Sequence, residues 1–234
     1  MPEKNALKPW REEMWCIPKA GPEYAACLED VLDVYEQPKD EDLPVVCFDE
    51  WKRALVSETR VGLPLKAGQA RRYDYEYQRN GLAYLHLLFA PLLSQRFIRV
   101  TQQHTMHDFA HTMKWLVDEL FPRAKRIIVV LDNLATHKPA ALYATFPASE
   151  AHRILRKLEF HYTPKHGSWL NMAEIELSVL SRTLKAFLPD VDTLLREASA
   201  LSLERNRALK TVHWQFTTAD ARIKLKNLYP SFSA

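Results

Sequence analysis

Two short runs constrain this chain more than anything else in it. Val45-Val46-Cys47-Phe48 and Ile127-Ile128-Val129-Val130-Leu131 are apolar at every position, and each leads straight into an aspartate, Asp49 and Asp132. A strand with one wet face alternates apolar and polar side chains, so an unbroken apolar run predicts a strand covered on both faces. Two such strands require helices above and below them, which points to an α/β sheet. Each aspartate then falls at the C-terminal end of its strand, where a buried carboxylate is costly without a partner. That edge is also where sites gather in open α/β sheets. Either aspartate alone suits a turn or a helix cap equally well.

The rest of the chain fills in around these strands. VVCFDE at 45–50, ALVSETR at 54–60, GLAYLHLLFAPL at 81–92 and RFIRVTQ at 96–102 read as short strands in hairpin order. Then come a helix over 105–120, a strand over 126–132, short helices near 139–145 and 149–157, and a strand over 158–162. Helices over 170–187, 191–208 and 218–228 complete the pattern. Hairpin strands followed by an αβαβα series predict a mixed sheet with helices on its faces. Residues 1–44 carry six prolines around one helix, Pro22 to Tyr35, and read as an arm. Residues 45–190 form the main domain in this reading, with 191–234 a helical extension packed on it.

Composition narrows the function classes. With 47% hydrophobic and 26% charged residues the chain can bury a core, which excludes disorder. No apolar run approaches the roughly 20 residues that span a bilayer. The first fifteen residues hold no apolar signal segment, so the cytoplasm is the expected address. Cys16, Cys27 and Cys47 are an odd set without CxxC spacing, which predicts reduced thiols. A net charge of +3 permits a nucleic-acid partner without requiring one.

The third acid lies in KHGSWLNMAEIELSVLSRTLKAF. On a wheel of about 100° per residue, Leu170, Ala173, Leu177, Leu180 and Leu184 form one apolar arc, and Met172, Ile175 and Val179 a second. Between them runs a polar strip of Asn171, Glu174, Ser178, Ser181, Arg182 and Lys185. The pattern predicts a helix buried on two sides, with Glu174 aimed at a shared site and Glu176 outside the strip as a candidate supporting acid. Three converging carboxylates repel one another unless cations intervene. Oxygen-only ligands favour Mg²⁺ or Mn²⁺, and two such ions roughly 3.5–4 Å apart suit in-line attack on a phosphodiester.

Taken together, VVCFDE, IIVVLDNLATHKPAALY and HYTPKHGSWLNMAEIELSVLSR resemble the three catalytic signatures of the DDE transposases of bacterial insertion sequences, in the mariner superfamily. The similarity runs from about Asn5 to Pro230 and takes in the YDYEYQRNG loop and WQFTTADARIKL. It implies a ribonuclease H-like fold, α/β with a mixed five-stranded sheet flanked by helices. It implies a two-metal site on Asp49, Asp132 and Glu174, and cut-and-paste transposition by DNA cleavage and strand transfer. Asp132 and Glu174 stand farther apart in sequence than in many relatives, and a helix over PASEAHRILRKLE accounts for the excess. Such enzymes act on double-stranded transposon ends and target DNA as homodimers, here in a bacterial cytoplasm at the nucleoid. Similar transposases also carry an N-terminal helix-turn-helix reader. No such pattern precedes Pro44, so a separately encoded reader, or a truncated relic, is expected.

Around the acids, Asn133, His137 and Asn171 are candidate supporting residues. Arg71, Arg72 and Tyr73 in the basic aromatic loop, Lys165, His166 and Trp169 before the helix, and Arg182 and Lys185 on its strip are candidate DNA contacts. His104, His107 and His111, at i, i+3 and i+7, are expected to be a solvated face rather than a zinc site. Two other readings fit the same residues: a non-catalytic DNA-binding or multimerisation remnant, and a stand-alone ribonuclease H-like nuclease.

Overall fold

The computed structural model describes residues 21–60, 62–70, 72, 74–184 and 187–230. Arg71, Tyr73, Lys185 and the first twenty residues, Cys16 included, lie outside that set. Five strands form one sheet in the order β3-β2-β1-β4-β5. β1 (Val45–Glu58), β2 (Tyr77–Ala90) and β3 (Gln95–Thr101) are antiparallel neighbours, whereas β4 (Ile127–Leu131) and β5 (Leu158–Tyr162) run parallel to β1. The sheet is therefore mixed.

The two apolar runs are its centre. Val46, Phe48, Val129 and Leu131 are buried on one face, against α2 (Met106–Trp115), α3 (Ala140–Thr145) and α4 (Ala148–Leu155). Val45, Cys47, Ile128 and Val130 are buried on the other, with α1 (Pro22–Tyr35), α5 (Met172–Thr183), α6 (Val191–Arg207) and α7 (Thr218–Lys224). Each fully covered Phe, Leu or Val contributes about 1.5–3 kcal/mol. α2 starts on a capping box, with Thr105 and Asp108 satisfying each other's backbone N–H, and its last residues, Leu116–Leu120, close as a π-helical turn. Among the described residues no helix is long and apolar enough to cross a membrane.

Two expectations need correcting. The runs at 45–50 and 54–60 are one strand, because the backbone ladder to β2 continues through Trp51, Lys52 and Arg53 whatever the polarity of their side chains. The ladder slips only between Leu55 and Val56, opposite Gly81, whose φ of +120° a side chain would make strained. Asp49 consequently lies within a long strand and not at its end.

The second correction concerns α5, which is buried on one side only. Met172, Ala173, Leu177 and Leu180 face the core, whereas Ile175 is exposed. Glu176 occupies the buried face instead, 1% exposed. Arg96 of β3 meets it with Nε at 2.7 Å and Nη2 at 2.8 Å, and Arg205 of α6 adds contacts of 3.1 and 3.0 Å. Two guanidiniums turn an expensive burial into a clamp that joins α5, β3 and α6.

Burial alone would raise the Glu176 carboxyl, but Arg96 and Arg205 hold it below the ordinary carboxylate value of 4.5. Glu176→Leu strands a buried guanidinium and is expected to lower the unfolding free energy by about 3–5 kcal/mol in urea titrations near pH 7. A depressed acid stabilises above its unfolded value and loses that contribution as pH falls through its folded one. The native chain should therefore lose stability more steeply below pH 4.5 than the variant does.

Candidate active site

Strand register brings the acids together. The last parallel pair between β1 and β4 is Cys47 with Val130, so Asp49 and Asp132 each stand two residues beyond it, side by side. Side chains alternate across a strand. Asp49 thus takes the face of Cys47, which α5 covers, and Asp132, just past the end of β4, stands beside it, near enough for its charge to act on Asp49. Glu174, in the first turn of α5 and exposed, lies near enough for its charge to act on Asp49. Burial pushes the Asp49 carboxyl up to about 7 against a 2.8 Å hydrogen bond from Glu50 N–H, with the charges of Asp132, Glu174 and Glu50 adding to the rise. Among the described residues no basic side chain pairs with Asp49 or Glu174.

The turn before α5 holds that helix in place. Gly167 is needed there, because a Cβ would lie 2.5 Å from Pro164 Cγ, and His166 adopts the left-handed φ of 64°. Asn171 is buried and works twice. Its Oδ1 accepts from Ala173 N–H at 3.1 Å, capping α5, and its Nδ2 donates to the Phe48 carbonyl at 2.8 Å. The start of the helix is thereby tied to the residue before Asp49. Tyr35 of α1 adds a hydrogen bond to the Leu170 carbonyl at 2.7 Å.

On the opposite face a second group forms around Glu50, whose side chain is 8% exposed. His86 Nδ1 lies 2.9 Å from its Oε1, His104 Nε2 hydrogen-bonds its Oε2, and His137 Nε2 lies 3.4 Å from Oε2. His137 Nδ1 in turn hydrogen-bonds Asp132 Oδ1. Burial works against both charged forms. Even so, His137 and His86 hold Glu50 down at about 2, and the Asp132 and Glu50 carboxylates hold His137 up at about 9.

Among the described residues, Glu50, His104 and His137 are the one set of three metal-ligand side chains with donor atoms within 4.8 Å of one another. His104 bonds Glu50 directly, so imidazoles meet this carboxylate. His107 bonds Thr145 and His111 packs on Phe146, so the histidine triplet of α2 and its lead-in does not converge.

Of the other candidate supporting residues, Asn133 accepts from Lys138 Nζ, and among the described residues its side chain makes no hydrogen bond to the acids. Lys165, His166 and Ser168 line a groove with Asp132 and Asn133. Trp169 and Arg182 line a second groove with Glu174, Ile175 and Ser178. Trp169 is 42% exposed and stacks on Trp214 at 6.5 Å, with Phe216 edge-on at 6.1 Å. Arg72 is exposed on the β1–β2 loop, bridged to Leu63, and among the described residues it does not line either groove.

Sequence reasoning missed Glu50, His86, His104 and the Arg96–Glu176–Arg205 clamp. A histidine inside the apolar run AYLHLLFA was the available signal, since a buried imidazole needs a partner.

A mixed β3-β2-β1-β4-β5 sheet with carboxylates gathered beside its two central strands defines a nuclease-type core. Residues 44–195 match the DDE superfamily endonuclease family, and the chain belongs to it. The fold resembles that of the Mos1 mariner paired end complex with Mn, with a TM-score of 0.57 at 13% identity over 89% of this chain and 63% of that one. The Mos1 strand transfer complex gives 0.52 at 13% identity, over 89% and 66%. At that identity the likeness concerns the fold, which is ribonuclease H-like. The chain spans just under two thirds of the length of these structures. No curated protein matches it.

Asn171→Ala removes a helix cap and a buried hydrogen bond together. It is expected to cost about 2 kcal/mol of stability in thermal or urea unfolding. Asn171→Asp keeps the cap but sets a buried carboxylate against the Phe48 carbonyl beside the acids, and should cost more than Asn171→Ala near pH 7.

Proposed function

We propose that this chain is the catalytic part of a transposase, a divalent-metal-dependent DNA endonuclease that also performs strand transfer in cut-and-paste transposition. The observation that carries the reading is the convergence of Asp49, Asp132 and Glu174, with Asp49 pushed up to about 7 by burial and by the other acids' charges. A fold needs no such arrangement, and it is relieved when cations enter. The donors are carboxylate oxygens only, which fits Mg²⁺ or Mn²⁺. A neighbour of the same fold was solved with Mn.

Asp49, Asp132 and Glu174 would hold the metal. When bound, divalent ions supply the charge that activates an attacking water or 3′-hydroxyl and stabilises the leaving oxygen. The chain's own residues hold the DNA. Lys165 and His166 on one side of the acids and Arg182 on the other are placed to grip phosphates, and the exposed face of Trp169 offers a stacking platform for a sugar or base.

Double-stranded transposon ends and target DNA are the proposed substrate, supported by the family match and by neighbours solved as paired-end and strand-transfer complexes. A homodimer, a separately encoded helix-turn-helix reader, origin in a bacterial insertion sequence and action at the nucleoid belong to the same proposal. So does the division into an arm, a catalytic unit over 45–190 and a helical extension.

Asp49→Asn, Asp132→Asn and Glu174→Gln should each reduce Mn²⁺-dependent cleavage of supercoiled DNA by roughly a thousandfold, equivalent to about 4 kcal/mol. Full activity in all three would remove the assignment. Replacing Lys165 and Arg182 by alanine should weaken DNA binding and flatten its salt dependence, by about one unit of log–log slope for each phosphate that is no longer neutralised.

A further inference from the structure

Glu50 and His137 form a unit that the reaction itself does not require. Asp49 and Glu50 are consecutive in β1, so the pleat sends them to opposite faces of the sheet. Asp49 goes to the acids, and Glu50 goes into an apolar layer built by Phe48, Leu88, Phe109 and Leu131. A carboxylate there is costly, and apolar side chains would stabilise that layer at least as well. The group nevertheless carries a glutamate and three imidazoles. Besides the backbone hydrogen bond from Glu50 N–H to Asp49 Oδ1, its side-chain link to the acids, among the described residues, is the hydrogen bond from His137 Nδ1 to Asp132 Oδ1.

The geometry of that link is directional. Asp132 lies just past the end of β4 with its side chain 35% exposed, so little else restricts its rotamer. His137 returns to it through a short 3-10 turn, Ala135–His137. Its ring is 2% exposed, edge-on to Phe48 at 5.3 Å and tilted against Phe109 at 4.9 Å, and its carbonyl accepts from Tyr162 Oη at 2.9 Å. Packing fixes the ring plane, and Glu50, 3.4 Å from Nε2, selects the orientation that presents Nδ1 to Asp132. His86, itself fully buried, and His104 hold the carboxylate on its other sides, and His86 is fixed in turn by Thr101 at 2.8 Å.

We propose that Glu50 is a positioning residue of the metal site: acting through His137, it fixes the carboxylate of Asp132 in the orientation that receives the ion. The inference rests on Asp132 being a metal ligand. Outer partners that orient a ligand typically change metal affinity 10–100-fold, and a shift of that size is expected here.

The test is a double-mutant cycle on the full chain, read as Mn²⁺ affinity by electron paramagnetic resonance without DNA, with thermal unfolding in parallel. Glu50→Gln keeps the shape and should weaken Mn²⁺ binding at least tenfold while the chain stays folded. His137→Asn places an amide donor near the former Nδ1 but cannot reach Glu50. In that background Glu50→Gln should therefore add no further loss. Unchanged affinity in Glu50→Gln overturns the inference, and so does an equal loss in both backgrounds, which would mean that Glu50 acts by another route. Asp132→Asn is the control for the underlying reading. If it binds Mn²⁺ like the native chain, that reading fails and the inference with it. If Asp132→Asn loses binding and Glu50→Gln does not, the inference alone fails.

Discussion

The parallel pairing of β1 with β4 is the constraint on which the rest depends. It ends at Cys47 and Val130, and both chains continue for two residues before the acids. Hydrogen-bonded register thus sets Asp49 beside Asp132 with no loop left to adjust. β1 then runs on, paired with β2 as far as Glu58, so Asp49 is held by a ladder on its other side. A site on regular strands is placed more rigidly than one on loops, and here two of three acids inherit their positions from the sheet.

The third acid reaches the sheet through tertiary bonds that are buried or part-buried. Asn171 ties the start of α5 to Phe48, Tyr35 ties the preceding turn to α1, and Glu176 ties the middle of the helix to Arg96 and Arg205. Buried acids in this chain thus fall into two kinds. Glu176 has two guanidiniums, and Glu50 has imidazoles on both oxygens, so both sit below ordinary carboxylate values. Asp49, equally hard to solvate, has only a backbone N–H and other acids, and sits well above. The compensated acids hold the structure together. The uncompensated one is left with its carboxyl pushed up.

How much of this was legible beforehand depends on the range of the signal. The two apolar runs announced β4 and the first half of β1, because burial on both faces leaves a local mark that needs no partner to read. The helices α1, α2 and α6 follow from spacing alone. Asp49 and Asp132 stand out in the sequence because each follows an apolar run, and Glu174 because it lies on the polar strip of its helix. What was not readable in β1 is the join at Trp51–Arg53, which makes the runs at 45–50 and 54–60 one strand. Its outer half pairs with β2 through backbone groups, and its side chains, mostly half-buried or exposed, carry no alternation. Nor was the face of α5 readable, since a wheel treats Glu176 as polar and cannot know that Arg96, eighty residues away, will neutralise it. The group around Glu50 is harder still. His86, His104 and His137 come from three elements, and only the folded sheet brings them to one carboxylate.

The distribution of stabilising devices follows from the same division. Capping boxes close α2 and α7, an aspartate caps α6, and Arg153 bridges Asp118 and Glu150 on the α2–α4 face. None of these touches the acids. A chain that gathers uncompensated carboxylates beside its central strands loses stability there, and folded domains have only about 5–15 kcal/mol in hand. The loss must be offset elsewhere, by contacts that do not neutralise the site. The two faces of the sheet allow this, because neighbouring residues on one strand point to opposite sides. Asp49 can stay without a basic partner while Glu50, one residue later, is surrounded by imidazoles. Strand alternation is thus both what packs the core and what lets the site remain apart from it.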